Sequence, residues 1–262
     1  MESTATKVTW NTCFMGDNCH IFNRPKSNPM SNHPSDCAHC PHLSQSHLNI
    51  LTTDELTNIS KNRSCLSFKK GQVIYHEGMR VNGIYCVHGG IAKVTKLGPR
   101  GKDQIIKFMQ PGDLAGYRAM VSNEPMAGSL VAHTEVRACF IPKEIFLSSL
   151  RENPTFSLDL LKESCHELGE WGKIVTNLAQ KTVKERLAEL LLLLESTFGK
   201  HEEGYIDIQL TREELANMVG TATESLIRLL SELKKEGIVE SKGKKIQILD
   251  PIALRSQAEL MH

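Results

Sequence analysis

The chain has no segment able to cross a membrane as a helix. Its longest leucine run, Leu190 to Leu194, falls far short of the roughly 20 consecutive apolar residues a spanning helix needs. Its opening residues, Met1 to Trp10, lack the apolar stretch of a secretory leader. The sequence therefore reads as cytoplasmic, with no membrane partner. Net charge is also nearly absent: 31 basic side chains against 30 acidic ones leave +1. Overall composition thus gives no argument for a polyanionic partner, and any electropositive surface has to be local. Three catalytic signatures are missing as well: a His/Glu pair at metalloenzyme spacing, a glycine loop for nucleotide phosphates and a nucleophile elbow. An enzyme would have to rest on a metal or thiol site. What remains is a chain of 262 residues, 40% apolar and 23% charged, an ordinary composition with room for two cores. Eight cysteines in a cytoplasmic chain point to free thiols, metal ligands or redox sensors before structural disulfides.

The most informative stretch is Leu210 to Leu230. Thr211 followed three residues later by Glu214 is a capping box, so a helix is expected to begin there. Leu215, Met218 and Val219 give it an apolar stripe, and Gly220 suits the left-handed residue that ends it. Thr221 and Glu224 repeat the box spacing. Leu226, Leu229, Leu230 and Leu233 then mark the buried face of a second helix, leaving Thr223, Glu224, Ile227, Arg228 and Ser231 on the other. Gly237 closes that helix. Ile238 to Glu240 and Lys245 to Ile248 alternate as strands around a hairpin, Ser241-Lys242-Gly243-Lys244. A short helix, a turn and a second helix with a polar leading edge is the layout of a DNA-reading helix-turn-helix, and the hairpin is a basic wing. Lys242, Lys244 and Lys245, with Lys234 and Lys235 nearby, are positioned to neutralise phosphates. Arg228 is expected to contact guanine and Glu224 to accept from cytosine, with Thr211, Thr221, Thr223 and Ser225 toward phosphates or a thymine methyl.

Upstream, residues 1 to 45 lack periodicity and read as a loop-rich extension carrying Cys13, Cys19, Cys37 and Cys40. The Cys37-x2-Cys40 turn brings two thiolates close enough to grip one metal ion, and a second pair would close a tetrahedron; unliganded thiols are the plain alternative. Leu48 to Ser60 is a capped helix. From Phe68 to Pro142 short alternating runs cut by glycine predict a closed antiparallel roll: Gln72–Tyr75, Gly83–Val87, Gly90–Val94, Gln104–Phe108, Gly128–Ala132 and Val136–Ile141. Cys139 lies in the last of these, and Cys65, Cys86 and Cys165 read as packing residues. Asn153-Pro154 caps a long helix. Along it Leu161, Leu168, Trp171, Val175 and Leu178, at intervals of seven, three, four and three, form the seam of a two-stranded coiled coil. A helix from Lys184 to Phe198 and a strand from Tyr205 to Leu210 lead into the reading head, with a boundary near Gln180.

These elements give an α+β chain: an extension (1–45), a β-roll (46–150), a dimerisation helix (151–180), a winged helix-turn-helix (181–253) and a tail (254–262). The residues from Leu210-Thr211-Arg212-Glu213-Glu214-Leu215 through Val219-Gly220, Thr223-Glu224-Ser225 and Arg228-Leu229-Leu230 to Gly237 and Gly243-Lys244 resemble the DNA-binding domain of the Crp/Fnr superfamily of bacterial transcription regulators. The roll resembles its cyclic-nucleotide-binding type effector domain, with Lys70-Gly71-Gln72, Gly89-Gly90 and Pro111-Gly112-Asp113-Leu114 at the turns.

That resemblance implies a homodimer on palindromic double-stranded DNA, with RNA polymerase as a further partner and an effector pocket at Gly112, Asp113 and Leu114. The family's Arg-Ser pair for the cyclic phosphate falls near Met126-Ala127. A phosphate left without its guanidinium loses a charge-assisted pair of roughly 1.5–3 kcal/mol per bond, which argues against cyclic AMP; Arg118 is a candidate substitute. The family's oxygen-sensing branch holds an iron–sulfur cluster on three N-terminal cysteines and one in the roll. Cys37, Cys40 and Cys139 match that pattern, while Ser46 stands where a third N-terminal ligand is expected and leaves Cys13 or Cys19 to replace it. An iron–sulfur cluster, a zinc ion and free thiols all stay open at this point.

Overall fold

The computed structural model describes residues 36–98 and 101–258. They pack as two units that meet in sequence between His166 and Glu167. In the first, β1 (Ser64–Phe68), β8 (Val136–Pro142), β3 (Gly83–Gly89) and β6 (Leu114–Ala115) form one antiparallel sheet in that order. The second sheet is β2 (Val73–Tyr75), β7 (Ser129–Ala132), β4 (Ala92–Leu97) and β5 (Asp103–Met109). The six expected strands are all present, with ends displaced by a few residues. β1 and β6 were not anticipated, β1 because Ser64, Leu66 and Ser67 are exposed and give no apolar alternation, and β6 because it is only two residues long.

Both faces of the first sheet are covered. Tyr85 of β3 stacks on Tyr75 of the second sheet at 5.9 Å and on Phe140 at 5.2 Å, so its face of the sheet lines the roll. Side chains alternate along a strand, and Cys86 therefore points the other way, with its cross-strand partner Cys139. That outer face lies beneath the N-terminal segment and the helices α1 (Thr53–Asn62), α3 (Lys143–Glu152) and the start of α4 (Pro154–Gln180), whose Leu48, Ile59, Phe146 and Phe156 share the core with it. Residues 36–45, expected to belong to the loop-rich extension, carry no α-helix or strand, but Cys37 and Leu43 are drawn into this packing. Cys37 is buried, and its N–H donates to Ser60 Oγ at 2.7 Å. The helix expected from Leu48 begins later: Thr52 is the cap, in a full capping box with Glu55, and Leu48 lies in a short 3-10 turn.

The second unit holds the rest of α4 with α5 (Val183–Phe198), α6 (Arg212–Val219), α7 (Thr223–Lys235), the hairpin β9 (Val239–Lys242) and β10 (Lys245–Ile248), and α8 (Pro251–Gln257). Glu167–Gln180 therefore pack with the C-terminal elements, upstream of the boundary suggested at Gln180. The core is Leu187, Leu191, Leu215, Leu226, Leu233, Val239 and Leu254, each fully buried. Arg186 ties three elements together, donating from Nε to Val219 O at 3.0 Å and from Nη1 to Leu178 O and Lys181 O. The strand expected over Tyr205–Leu210 is not a strand. Ile206, Ile208 and Leu210 do alternate inward, but pairing is limited to one isolated bridge, Lys200 with Ile206, and one bond from Ile206 N–H to Ile246 O. Asn153 caps α4 as expected, accepting from Phe156 N–H. On α4 the seam leucines Leu161, Leu168 and Leu178 and Val175 are exposed within the chain, and Trp171 is half-buried.

The packing of α7 makes a contrast between adjacent residues. Leu226 is fully buried and Ile227 is 47% exposed. Leu226→Ala is expected to cost about 2–5 kcal/mol and Ile227→Ala under about 0.5 kcal/mol, measured by denaturant unfolding of the full chain; equal costs would mean α7 is rotated from the face described.

Candidate DNA interface and thiol-lined site

In α6 the sequence rules are met in full. Thr211 accepts from Glu214 N–H at 3.1 Å while Glu214 Oε2 accepts from Thr211 N–H at 2.9 Å. Gly220, at φ 74°, ψ 48°, closes the helix in the left-handed region that glycine tolerates. Thr211 is thus committed to a cap, and its hydroxyl faces Glu214. Ala216 takes the buried place expected for Met218, which is half-buried.

The second capping box does not form. The cap of α7 is Ala222, with no side-chain bond, and Thr221 lies one residue too early for its hydroxyl to reach the N3 amide. The first turn of α7 therefore keeps backbone N–H groups without a side-chain cap, beside Thr223, Glu224 and Ser225, an arrangement that suits an anionic oxygen. Glu224, Ile227 and Arg228 are exposed, and Arg228 is 75% open with Glu232 at 3.9 Å. Leu229 is half-buried beside the buried Leu226, Leu230 and Leu233.

The wing is shorter in its turn than expected: Lys242 already pairs with Lys245, leaving Gly243-Lys244 as a two-residue connection. Lys242 and Lys244 are exposed at its tip. Lys245 is engaged elsewhere, with Glu203 at 3.0 Å and over the Tyr205 ring, and Lys234 binds Glu240 at 2.5 Å. Arg212, part of the family-like stretch but assigned no role there, donates from Nη2 to Gly243 O at 2.9 Å and so fastens the wing turn to α6.

In the first unit, a cavity of about 20 Å³ is lined by Cys37, Cys40, Cys86 and Cys139 together with Arg63 and Ser46. Cys65 joins them from the side, its Sγ 3.4 Å from that of Cys139. Cys65 and Cys86 pack in or against the core as read and also belong to this group, whereas Cys165, read the same way, is exposed on α4. Strand register explains the grouping: Cys65 and Cys86 lie directly opposite Cys139 on its two neighbouring strands. No spacing along the chain encodes that. Burial pushes the thiols of Cys37 and Cys86 up, and that of Cys139 up to about 12 against the opposing pull of Arg63. Among the described residues, no three His, Cys, Asp or Glu side chains are arranged to hold a metal ion. Cys13 and Cys19 lie outside the described residues.

Of the effector candidates, Gly112 lines the same cavity, at φ 99° and close enough to Gln45 that a Cβ would meet it at 3.0 Å. The Asp113 carboxylate accepts from Gln110 N–H at 2.7 Å, Leu114 is buried in β6, and Arg118 is exposed on α2 (Tyr117–Ser122). Met126, near which the resemblance places the family's phosphate-binding Arg-Ser pair, is buried, and its Cε lies 3.0 Å from where a Cβ on Gly116 would be.

Residues 65–153 match the cyclic nucleotide-binding domain family, and residues 185–257 match the Crp-like helix-turn-helix domain. The transcriptional regulator SdrP of Thermus thermophilus is 31% identical over 75% of this chain and 95% of its own length. The chain belongs to the Crp/Fnr family. The transcriptional activator protein Anr of Pseudomonas protegens is 28% identical over 85% of this chain and 91% of its own. The solved structure of a Crp/Fnr-family transcriptional regulator from Thermus thermophilus superposes with a TM-score of 0.61 at 28% identity, covering 75% of this chain and 98% of that one. This Crp/Fnr protein is accordingly a transcription regulator with a helix-turn-helix domain, and the enzyme reading is set aside. Among its described residues no helix is long and apolar enough to cross a membrane.

The Arg212 bond to the wing turn carries a consequence. Arg212→Ala is expected to speed amide hydrogen exchange at Lys244 and Lys245 while leaving α5 protected; unchanged exchange at the wing would show that the turn holds without it.

Proposed function

We propose that this Crp/Fnr regulator acts in the cytoplasm as a homodimer that reads palindromic double-stranded DNA and contacts RNA polymerase. Its affinity for DNA is set by the state of the thiol-lined site. The observation that supports the reading most is the outward surface of α7, where Glu224, Ile227 and Arg228 stand exposed because Leu226, Leu230 and Leu233 are buried behind them. Arg228 is assigned a bidentate contact with guanine, Glu224 an acceptor role toward cytosine, and Ile227 an apolar contact with a thymine methyl. Thr221, Thr223, Ser225 and the α7 amides are assigned to phosphate, as are Lys242 and Lys244 on the wing. Thr211 is assigned to the frame that holds α6. The exposed Leu161, Leu168, Val175 and Leu178 of α4 are the surface that a second copy would cover.

Arg228→Ala should weaken binding to the preferred site by about 1–3 kcal/mol and relax one position in each half-site. Lys244→Ala should weaken all sequences alike and lower the salt slope by about 1. Competition binding across a mutated half-site and a salt series separates the two; an Arg228→Ala protein that keeps full discrimination would refute its assignment.

The signal is assigned to soft-metal or thiol chemistry in preference to cyclic AMP. The family's Arg-Ser pair for a cyclic phosphate falls near Met126-Ala127 by resemblance, and neither side chain carries a guanidinium. Following the family pattern, Cys37, Cys40 and Cys139 would hold an iron–sulfur cluster with Cys13 or Cys19 as the fourth thiolate; the described three are not gathered for a metal ion as they stand, so binding would have to draw them together. Thiolates are the ligands such clusters use, and four of the described cysteines, Cys37, Cys40, Cys86 and Cys139, line one cavity. When bound, a cluster supplies redox and oxygen sensitivity. Arg63 contributes positive charge beside the sulfurs, and Cys86 and Cys139 are shielded from bulk water. Anaerobically prepared protein is expected to be brown, to contain iron and to lose visible absorbance in air. A colourless protein containing zinc, or one containing no metal, would overturn the cluster assignment.

A further inference from the structure

Among the five described cysteines of this site, two stand in a relation that metal binding does not require. Cys65 and Cys139 are directly opposite each other on the antiparallel strands β1 and β8, and their sulfurs are 3.4 Å apart. Opposed residues in such a ladder have Cα atoms about 4.5–5.5 Å apart, inside the range of about 4.4–6.8 Å that a disulfide spans. Shortening the sulfur separation to the covalent length of about 2.05 Å is within reach of small side-chain rotations, since the backbone separation is already suitable.

Arg63 completes the arrangement. Its Nη1 lies 2.7 Å from Sγ of Cys65 and 2.7 Å from Sγ of Cys139. A guanidinium shared between two sulfurs stabilises negative charge on either one, the condition under which a cysteine attacks an oxidant. The two cysteines differ in access: Cys65 is half-buried at the sheet edge, whereas Cys139 is buried on the central side of it. One thiol that an oxidant can reach and a second held behind it is the arrangement of an attacking and a resolving cysteine.

We propose that Cys65 and Cys139 form a peroxide-responsive thiol pair that closes to a disulfide. The Cys65 sulfur attacks one oxygen of hydrogen peroxide, the O–O bond breaks, and the departing hydroxide takes the thiol proton and leaves as water, giving a sulfenic acid on Cys65. The Cys139 sulfur then attacks the Cys65 sulfur and the S–O bond breaks. The hydroxide released takes the Cys139 proton and leaves as a second water. Two thiols have lost two electrons and two protons, and the peroxide has been reduced to two waters. Closure withdraws the Cys139 sulfur from the cavity, so peroxide and a soft metal compete for one atom. The pairing rests on the β1/β8 register and the sulfur separation and does not depend on the cluster assignment, since it requires only that the Cys139 sulfur be free when peroxide arrives.

The test uses the full chain as purified, before and after a stoichiometric addition of hydrogen peroxide, read by intact mass and by peptide mapping without reductant. The expected result is a loss of the mass of two hydrogens, a peptide pair joined through Cys65 and Cys139, and reversal by dithiothreitol. Cys65→Ser should abolish the linked peptide, and in that variant oxidation should stop at a reductant-sensitive modification of another thiol or not occur. Arg63→Gln should slow formation of the link while leaving its position unchanged. A disulfide joining Cys37 to Cys40, or oxidation of Cys65 and Cys139 separately to sulfinic acids, would overturn the proposal. Iron content measured on the same samples reports separately on the cluster assignment.

Discussion

The rotation of α7 about its own axis is the constraint on which the functional surface depends. Leu226, Leu230 and Leu233 recur at four- and three-residue intervals and are buried to within a few per cent, and fully burying each leucine is worth about 1.5–3 kcal/mol. Turning the helix to hide Arg228 would expose all three. The polar leading edge is therefore held outward by the apolar face behind it. α6 is fixed in turn by its capping box and by Gly220, and Arg186 joins the end of α6 to carbonyls at the end of α4. A displacement at the end of α4 has a direct polar route to the helix that precedes the reading surface.

The first unit uses a different device. Its β1-β8-β3-β6 sheet is covered on both sides, one face turned into the roll by Tyr85 and Phe140 and the other roofed by residues 36–51 with α1 and α3. The row Cys65, Cys139, Cys86 runs across three strands beneath that roof, and Cys37 and Cys40 belong to the roof itself. The proposed chemistry at the sulfurs would therefore sit where an N-terminal segment meets a sheet. Anything that adds bulk or removes a thiol there alters how the segment packs.

Much of this was legible in the sequence, and the parts that were not share a cause. Capping at Thr211, the Gly220 stop, the Asn153 cap and the leucine face of α7 are local patterns whose physics is complete within a few residues. Six strands declared themselves by alternation and turn residues. The second capping box failed because Thr221 has the right spacing to Glu224 but the wrong position relative to the helix start, which Gly220 and the turn decide. The strand over Tyr205–Leu210 failed because alternation reports burial, and burial does not supply a ladder partner. Cys65 and Cys86 pack in or against the core, but their relation to Cys139 exists only through strand register; Arg63 carries no motif, and Arg212 lies in the family-like stretch with no role that local pattern reveals. For the site as for the fold, what was missed lies in contacts between residues far apart in the chain.

Palindrome recognition requires two copies of α7 to present one surface to successive turns of a duplex. Selection of bound sequences from random double-stranded DNA with the full-length protein measures this directly. The expected outcome is enrichment of an inverted repeat whose half-sites are centred about 10 base pairs apart, one helical turn, bound by two protomers. Enrichment of a single unrepeated element bound by one protomer, or no enrichment in any metal or redox state of the protein, would contradict it.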